Sequence, residues 1–370
     1  MTCIVAVAQL ALQVGDVAGN RRKAREAAAQ AARQGASLLI LPELADSGYV
    51  FASAEEARHL AEPAGNNATL REWRELAVEL SLAIVGGFCE LGGDGLLYNS
   101  AALVDAEGTR AVYRKAHPWD AEKRIFTPGD ARPPVVDLGF GRIGLVICYD
   151  LEFPEWVRLP ALAGADLIAA PVNWPAPAQA AGERPAEVIK AQAAAAINGV
   201  FVAVADRCAA ERGVRWISGS MIIAPGGQAV AGPVLADQPA LLTAACDLTA
   251  ARDKRVSENN DLFADRRPAL YGLGPAVDAR VAAAKAHWAP RFIANGTDYA
   301  DYETTMRRIT RWAYWCEGWG ETARRYELIA SESERAAKTQ TATDAWRRAA
   351  LCWHWAKFVF TDDPVQQRAA

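Results

Sequence analysis

Short, almost unbroken apolar runs of strand length recur through the first 275 residues, at 38–41, 82–88, 101–104, 143–147, 167–170, 200–205, 221–224 and 241–245. A strand that is apolar on both faces has to be covered on both faces, so these runs predict sheets packed between other layers. Ala-rich helical patterns at 20–33, 158–163 and 186–198 fall between several of the runs, while Gly108, Gly139-Phe140-Gly141 and Pro225-Gly226-Gly227 supply hairpin turns. Strands joined partly by helices and partly by hairpins predict a mixed-sheet α/β sandwich with helices outside, not a regular barrel.

The pattern changes after about residue 275. Five of the 12 tryptophans precede that point and seven follow it, namely Trp288, Trp312, Trp315, Trp319, Trp346, Trp353 and Trp355. Gly272-Leu273-Gly274-Pro275 reads as a domain exit. The expected organisation is an α/β domain over 1–275, a connector over 276–303 and a Trp-rich all-α extension over 304–370. Ile309, Trp312, Cys316 and Trp319 recur at helical spacing. A second helix is expected after Thr343-Asp344, with Trp346, Ala350 and Trp353 on one face, ending at Asp362-Asp363-Pro364.

Composition excludes several function classes. Forty basic against 44 acidic residues give a formal net charge of -4, with no basic surplus for a nucleic-acid or anionic-membrane partner. No uncharged apolar run reaches the ~18 residues of a spanning helix. The apolar start, 1–10, lacks a preceding basic segment and reads as a buried first strand rather than a signal peptide. The seven cysteines are odd in number, widely spaced and free of any C-x-x-C pair, which points away from a disulfide framework and towards a reducing cytoplasm. No G-x-G-x-x-G follows a predicted strand into a helix; G-x-x-x-x-G-K-S/T, H-E-x-x-H and G-x-S-x-G do not occur, and no residue pattern calls for a cofactor or a metal.

Three polar residues stand where an apolar strand runs out. Glu43 follows Leu38-Leu39-Ile40-Leu41-Pro42, Lys115 follows Ala111-Val112-Tyr113-Arg114, and Cys148 follows Gly144-Leu145-Val146-Ile147. Side chains leaving the core at strand ends are held rigidly and can still meet a ligand. A thiol ahead of the Pro154-initiated helix is expected to favour thiolate. A carboxylate able to take its proton and an ammonium able to stabilise an oxyanion complete the parts for acyl transfer through a thioester. Taken singly, each has a plainer reading: an inert core cysteine, a solvated loop glutamate and a surface lysine. His117, two residues beyond Lys115, offers an alternative base for Cys148.

Leu41-Pro42-Glu43-Leu44 with Ser47-Gly48-Tyr49, Tyr113-Arg114-Lys115-Ala116-His117, and Ile147-Cys148-Tyr149-Asp150 with Phe153-Pro154-Glu155 resemble the nitrilase (carbon–nitrogen hydrolase) superfamily. So do Ala205-Asp206-Arg207 leading through Glu211-Arg212-Gly213 to Gly219-Ser220, and 260–268 with Tyr271. The resemblance spans about residues 1–272. It implies a four-layer α-β-β-α sandwich that pairs into a homodimer or higher homo-oligomer. It further implies Cys148 as nucleophile, Glu43 as general base and Lys115 as stabiliser of the tetrahedral intermediate. Glu122 corresponds to the family's second glutamate, and the backbone N–H of Tyr149 completes the oxyanion hole. Tyr49, Asn173 and Trp174 are expected to bind substrate, the last two in the acyl pocket.

The activity implied is hydrolysis of a small amide to carboxylic acid and ammonia, of the ω-amidase or 2-oxoglutaramate type. Cys148-Tyr149-Asp150 is more like the amide branch than the Trp-Glu pattern of nitrile-hydrolysing members. Nitrile and N-carbamoyl hydrolysis are the nearest alternatives, and a non-catalytic assembly module using the Trp-rich helices is the most distant. Residues 309–319 and 349–354 with Phe360 resemble the helical segment ahead of the catalytic domain in dihydropseudooxynicotine hydrolase-type α/β-hydrolases. This extension is therefore expected to be part of a truncated second hydrolase module or a packing and assembly element.

Overall fold

The computed structural model describes residues 2–176, 183–271 and 278–358. The chain divides after Arg266 into two compact units.

In the first unit the strands build two sheets. β1 (Thr2–Ala11), β2 (Ala36–Ile40), β3 (Ala83–Leu91), β4 (Leu97–Asp105) and β5 (Gly108–Arg114) lie in one. β6 (Val135–Asp137), β7 (Arg142–Leu145), β8 (Leu167–Pro171), β9 (Phe201–Ala205), β11 (Ser220–Ile223) and β12 (Ala229–Val234) form the other. β10 (Arg207–Cys208) and β13 (Ala240–Asp247) both pair with β1, so the orders are β10-β1-β2-β3-β4-β5 with β13 also on β1, and β12-β11-β9-β8-β7-β6. β1-β2-β3 run parallel, whereas β3-β4-β5 form antiparallel hairpins. Both connection types expected from the turn chemistry are therefore present.

Period-two alternation sets the layers. Along β1, Val5 and Val7 enter a core shared with Ile143, Leu145, Leu167 and Val202 of the other sheet. The intervening Ala6, Ala8 and Leu10 face a second core with α1 (Val17–Arg33) and α3 (Ala68–Leu80). β2 repeats the division, with Leu38 and Ile40 in one core and Leu39 in the other. Opposite them, α4 (Pro154–Leu162) and α5 (Ala186–Asn198) cover the second sheet through Val157, Ala161, Val188, Ala191 and Ala195. The result is the α-β-β-α sandwich. The short α2 (Ala54–Leu60) packs Ala57 in a smaller cluster with Phe51 and Phe126.

The second unit is helical, with α6 (Pro268–Tyr271), α7 (Ala279–Ala294), α8 (Tyr299–Arg308), α9 (Trp315–Arg335) and α10 (Thr339–Phe358). Its core gathers Val281, Phe292, Tyr302, Met306, Trp315, Trp319, Cys352 and Trp355. Phe292 stacks on Trp355 at 4.0 Å, and the two buried indole N–H groups of Trp315 and Trp355 donate to Trp355 O and Thr297 Oγ1.

Three sequence expectations change here. The span 276–303 is not a plain connector, because α7 and the start of α8 lie in it and supply Val281, Phe292 and Tyr302 to the core. The single helix expected around Ile309 is two, since Ile309 leaves helical geometry (φ -80°, ψ 96°) and α9 restarts at Trp315. On α10 the buried residues are Ala342, Ala345, Ala349, Cys352, Trp355 and Ala356, not the Trp346–Ala350–Trp353 stripe. Small side chains let the helices approach closely. Trp346 and Trp353 take the flanks, where their indole N–H groups reach Glu334 and Glu327. The expected exit at Gly272–Pro275, Phe360 and the helix end at Asp362-Asp363-Pro364 lie outside the described residues.

Candidate active site

Glu43, Lys115 and Cys148 each lie just beyond a strand, after β2, β5 and β7, and the sheet architecture brings all three together with Glu122. Their exposures are 0%, 1%, 5% and 3%, so four polar side chains share a nearly dry site. Lys115 Nζ donates to Glu43 Oε1 at 2.7 Å and to Glu122 Oε1 at 2.8 Å. The lysine is thus clamped between two carboxylates and cannot be a surface charge. Glu122, in a short 3-10 turn (Asp120–Arg124), is likewise no exposed helix residue.

Sequence reasoning passed over Asn99, a buried polar residue on β4. Its Nδ2 donates to Glu43 Oε1 at 2.7 Å and to Glu122 Oε2 at 3.4 Å, tying the two carboxylates together. Glu43 Oε2 has no hydrogen-bond partner among the described residues, although it is fully enclosed. An unpaired buried carboxylate oxygen is a strong acceptor waiting for a proton donor.

Electrostatics sharpen the site. Burial raises Glu43 to about 7, with Lys115 pulling it down and Glu122 pushing it further up. Burial works against the Lys115 ammonium, but Glu122 and Glu43 outweigh it and hold the group well above the usual lysine range. Burial and then the Glu43 charge push the Cys148 thiol well up, against the pull of Lys115. The sequence expectation of a helix-stabilised thiolate is therefore reversed. Only a short 3-10 turn starts at Cys148, α4 begins six residues later at Pro154, and desolvation beside two carboxylates dominates. The resting cysteine is a neutral thiol, and its Sγ lies 3.7 Å from the carbonyl oxygen of Asn173.

The turns that carry Glu43 and Cys148 both contain tight backbone. Cys148 (φ 46°) and Leu44 (φ 48°) occupy the left-handed region without being glycine, at about 1–2 kcal/mol each. Gly87 on β3 makes room for the Glu43 turn, because a Cβ there would collide with Leu44 N and Glu43 Cα.

A cavity of 240 Å³ opens beside Cys148, walled by Trp119, Tyr149, Trp174 and Pro175, with Glu152 and Glu187 also on its lining. Of the residues expected to bind substrate, Tyr149 and Trp174 line this cavity. Asn173 is instead turned behind it, its Nδ2 donating to Glu43 O at 2.9 Å. Tyr49 is directed at Glu122, to which its hydroxyl donates. The backbone that presents Tyr49 is pinned by Glu211, which accepts from Tyr49 N and Val50 N and is held in turn by the wholly buried Arg207. Trp216 lies against both, under the Arg207 guanidinium and edge-on to Tyr49. His117 is not beside the thiol as an alternative base. Its Nδ1 pairs with Asp150 Oδ1 at 2.7 Å. Among the described residues no group of acidic, histidine or cysteine side chains could hold a metal ion, and no helix is long and apolar enough to cross a membrane.

Over residues 4–256 the chain matches the model of the carbon–nitrogen hydrolase family, and it belongs to that family. It is accordingly an enzyme of the class that hydrolyses carbon–nitrogen bonds. Among its relatives, a nitrilase of Pyrococcus abyssi is 37% identical over 72% of this chain and 98% of its own length. The deaminated glutathione amidase of Homo sapiens is 33% identical over 73% of this chain and 84% of its own. A mutant of the amidase from Nesterenkonia sp. AN1, solved with acrylamide added at its active site cysteine, is 30% identical and superposes with a TM-score of 0.59 over 72% of this chain and 98% of its own.

Proposed function

We propose that the protein hydrolyses a small amide to a carboxylic acid and ammonia through a thioester on Cys148. The observation that carries this reading is Glu43 Oε2, an enclosed and unpartnered carboxylate oxygen on a group raised to about 7, at the site of a neutral thiol. Glu43 takes the thiol proton as Sγ attacks the amide carbon, so the thiolate exists only while the bond forms. Lys115 Nζ and the backbone N–H of Tyr149 stabilise the oxyanion. Proton return to nitrogen releases ammonia, and a water activated by Glu43 then cleaves the thioester. Glu122 holds Lys115 in place, itself fixed by Tyr49 and Asn99. The cavity, below the ~300–1,000 Å³ of drug-sized sites, fits a small acyl group lying between Trp119 and Trp174.

Ammonia release across a panel of aliphatic and aromatic amides, 2-oxoglutaramate, nitriles and N-carbamoyl amines tests the reading. Turnover of amides that is abolished in Cys148→Ala supports it. Ammonia release that survives the substitution sinks it, and release of carbon dioxide or turnover of nitriles alone would assign a sister activity. Exposed apolar side chains on α4 and α5, Leu162, Ile189 and Ile197, support a homodimer, testable by light scattering of an Ile189→Glu/Ile197→Glu variant. The absence of disulfides among the buried cysteines supports a cytoplasmic location, and the closed aromatic core of the helical unit supports a packing or assembly role.

A further inference from the structure

We infer that Tyr113, His117 and Asp150 are positioning residues that lock the nucleophile turn to the lysine-bearing strand. The inference rests on the reading of Cys148 and Lys115 given above. The Asp150 carboxylate is wholly buried and receives three donors: Tyr113 OH at 2.7 Å and Ile147 N at 3.0 Å on Oδ2, and His117 Nδ1 at 2.7 Å on Oδ1. The Asp150 N–H returns a bond to Ile147 O at 3.0 Å. Residues 147–150 therefore form a turn closed from both ends, with Cys148 at its apex in left-handed conformation.

The other two donors come from outside the turn. Tyr113 is the penultimate residue of β5, Lys115 follows that strand, and His117 follows Lys115 by two residues. One strand end thus supplies the ammonium and, on either side of it, the two side chains that grip the nucleophile turn. Trp156 Nε1 donates to Tyr113 OH at 2.9 Å, and the His117 ring stacks on Phe153 at 3.9 Å with Trp156 against its edge. Both anchors are seated by residues immediately downstream of Cys148. Rotation of the turn, which would swing Sγ away from Lys115 and Glu43, has to break at least one bond to a carboxylate that no water can reach. None of the three is among the residues that line the cavity, so their effect on the reaction passes through Cys148 and Lys115.

His117→Phe keeps the ring stack and deletes the donor, whereas His117→Gln restores an N–H for Asp150. Amide turnover and the rate of Cys148 alkylation by iodoacetamide, read by mass spectrometry of its peptide, are measured on the full chain of each. The expected result for His117→Phe is a tenfold or greater fall in kcat with KM within twofold, and an alkylation rate at least fivefold lower. His117→Gln should recover both to within threefold of wild type. Should His117→Phe fail to fold, Tyr113→Phe, which removes a single oxygen, is expected to show the same pattern. A folded His117→Phe with wild-type kcat and alkylation rate overturns the inference. So does a loss in His117→Gln equal to that in His117→Phe, which would mark a merely structural role. If the wild type turns over no amide, the functional reading fails, while the alkylation rates still decide this one.

Discussion

The two units solve the problem of a stable interior in opposite ways. In the α/β unit Glu43, Lys115, Glu122, Asp150, Asp206, Arg207 and Glu211 are all 3% exposed or less. In the helical unit the largest fully buried side chains are Trp315, Trp319, Phe292 and Tyr302, and the buried polar residues described there are the hydroxyls Thr297, Thr305, Thr322 and Ser333. A buried charge costs several kcal/mol unless partners converge on it. Here they do: two carboxylates on Lys115, three donors on Asp150, and the backbone N–H groups of Trp174, Arg207 and Gly219 on Asp206. Among the described residues of the helical unit no charged side chain is buried to that degree, and its interior is held by packed rings and aliphatic side chains with hydrogen bonds such as Trp355 Nε1 to Thr297 Oγ1 and Thr305 to Thr322. Charge is buried in and around the candidate active site, and the sandwich supplies the rigid polar framework that this demands.

The largest test of that contrast is Lys115→Ala. It leaves Glu43 and Glu122 facing each other in a dry site, so turnover should fall about 10³-fold and stability by about 3–5 kcal/mol in chemical unfolding. Unchanged stability would mean the charged interior is not held as described. Trp319→Ala is the counterpart in the neutral interior. It should cost about 3–5 kcal/mol in the unfolding of the helical unit while leaving kcat and KM within twofold.

Gly87→Ala is a smaller change with a local target. Its Cβ meets the backbone of Glu43 and Leu44, which cannot give way like a flexible side chain. A loss of about 1–3 kcal/mol and a tenfold drop in kcat are expected.

Proton titration separates the two interiors again. Glu43, Asp46 and Asp206 are each raised to about 7, in every case chiefly by burial. A folded-state value above the ordinary carboxylate range means the fold favours the neutral acid. That stabilisation is complete below about pH 4 and is lost as pH rises through about 7. Hydrogen-exchange protection around 143–147, corrected for intrinsic rates, should therefore weaken between pH 5 and 8, and that of 315–323 should not. Turnover runs the other way. Glu43 accepts a proton only as carboxylate, so kcat/KM should rise up to tenfold per pH unit below about 7 and level off above it. The smallest effect is expected from Trp346→Ala, under about 1 kcal/mol, since that side chain is 41% exposed.

Much of this was legible in the sequence because it is a matter of local pattern. Apolar runs such as 38–41 and 143–147 specify strands covered on both faces, and period-two alternation assigns Val5 and Ala6 to different cores. The residue types at the strand ends, Glu43, Lys115 and Cys148, already suggested the chemistry proposed above, and the order of motifs named the family. What the sequence could not supply was the environment that tunes them. Asn99 is 56 residues from the carboxylate it bridges, and Glu211 is 162 from the backbone of Tyr49 that it pins. The pairing of His117 with Asp150, the neutral state of Cys148 and the turning of Asn173 away from the cavity likewise depend on chain segments that meet only in space. On α10, helical periodicity indicated a buried face, but packing chose Ala342, Ala345, Ala349 and Trp355 over Trp346 and Trp353. Residue types and periods are properties of the chain. Desolvation, hydrogen-bond partners and packing distance are properties of its neighbours, and only the folded structure assigns those.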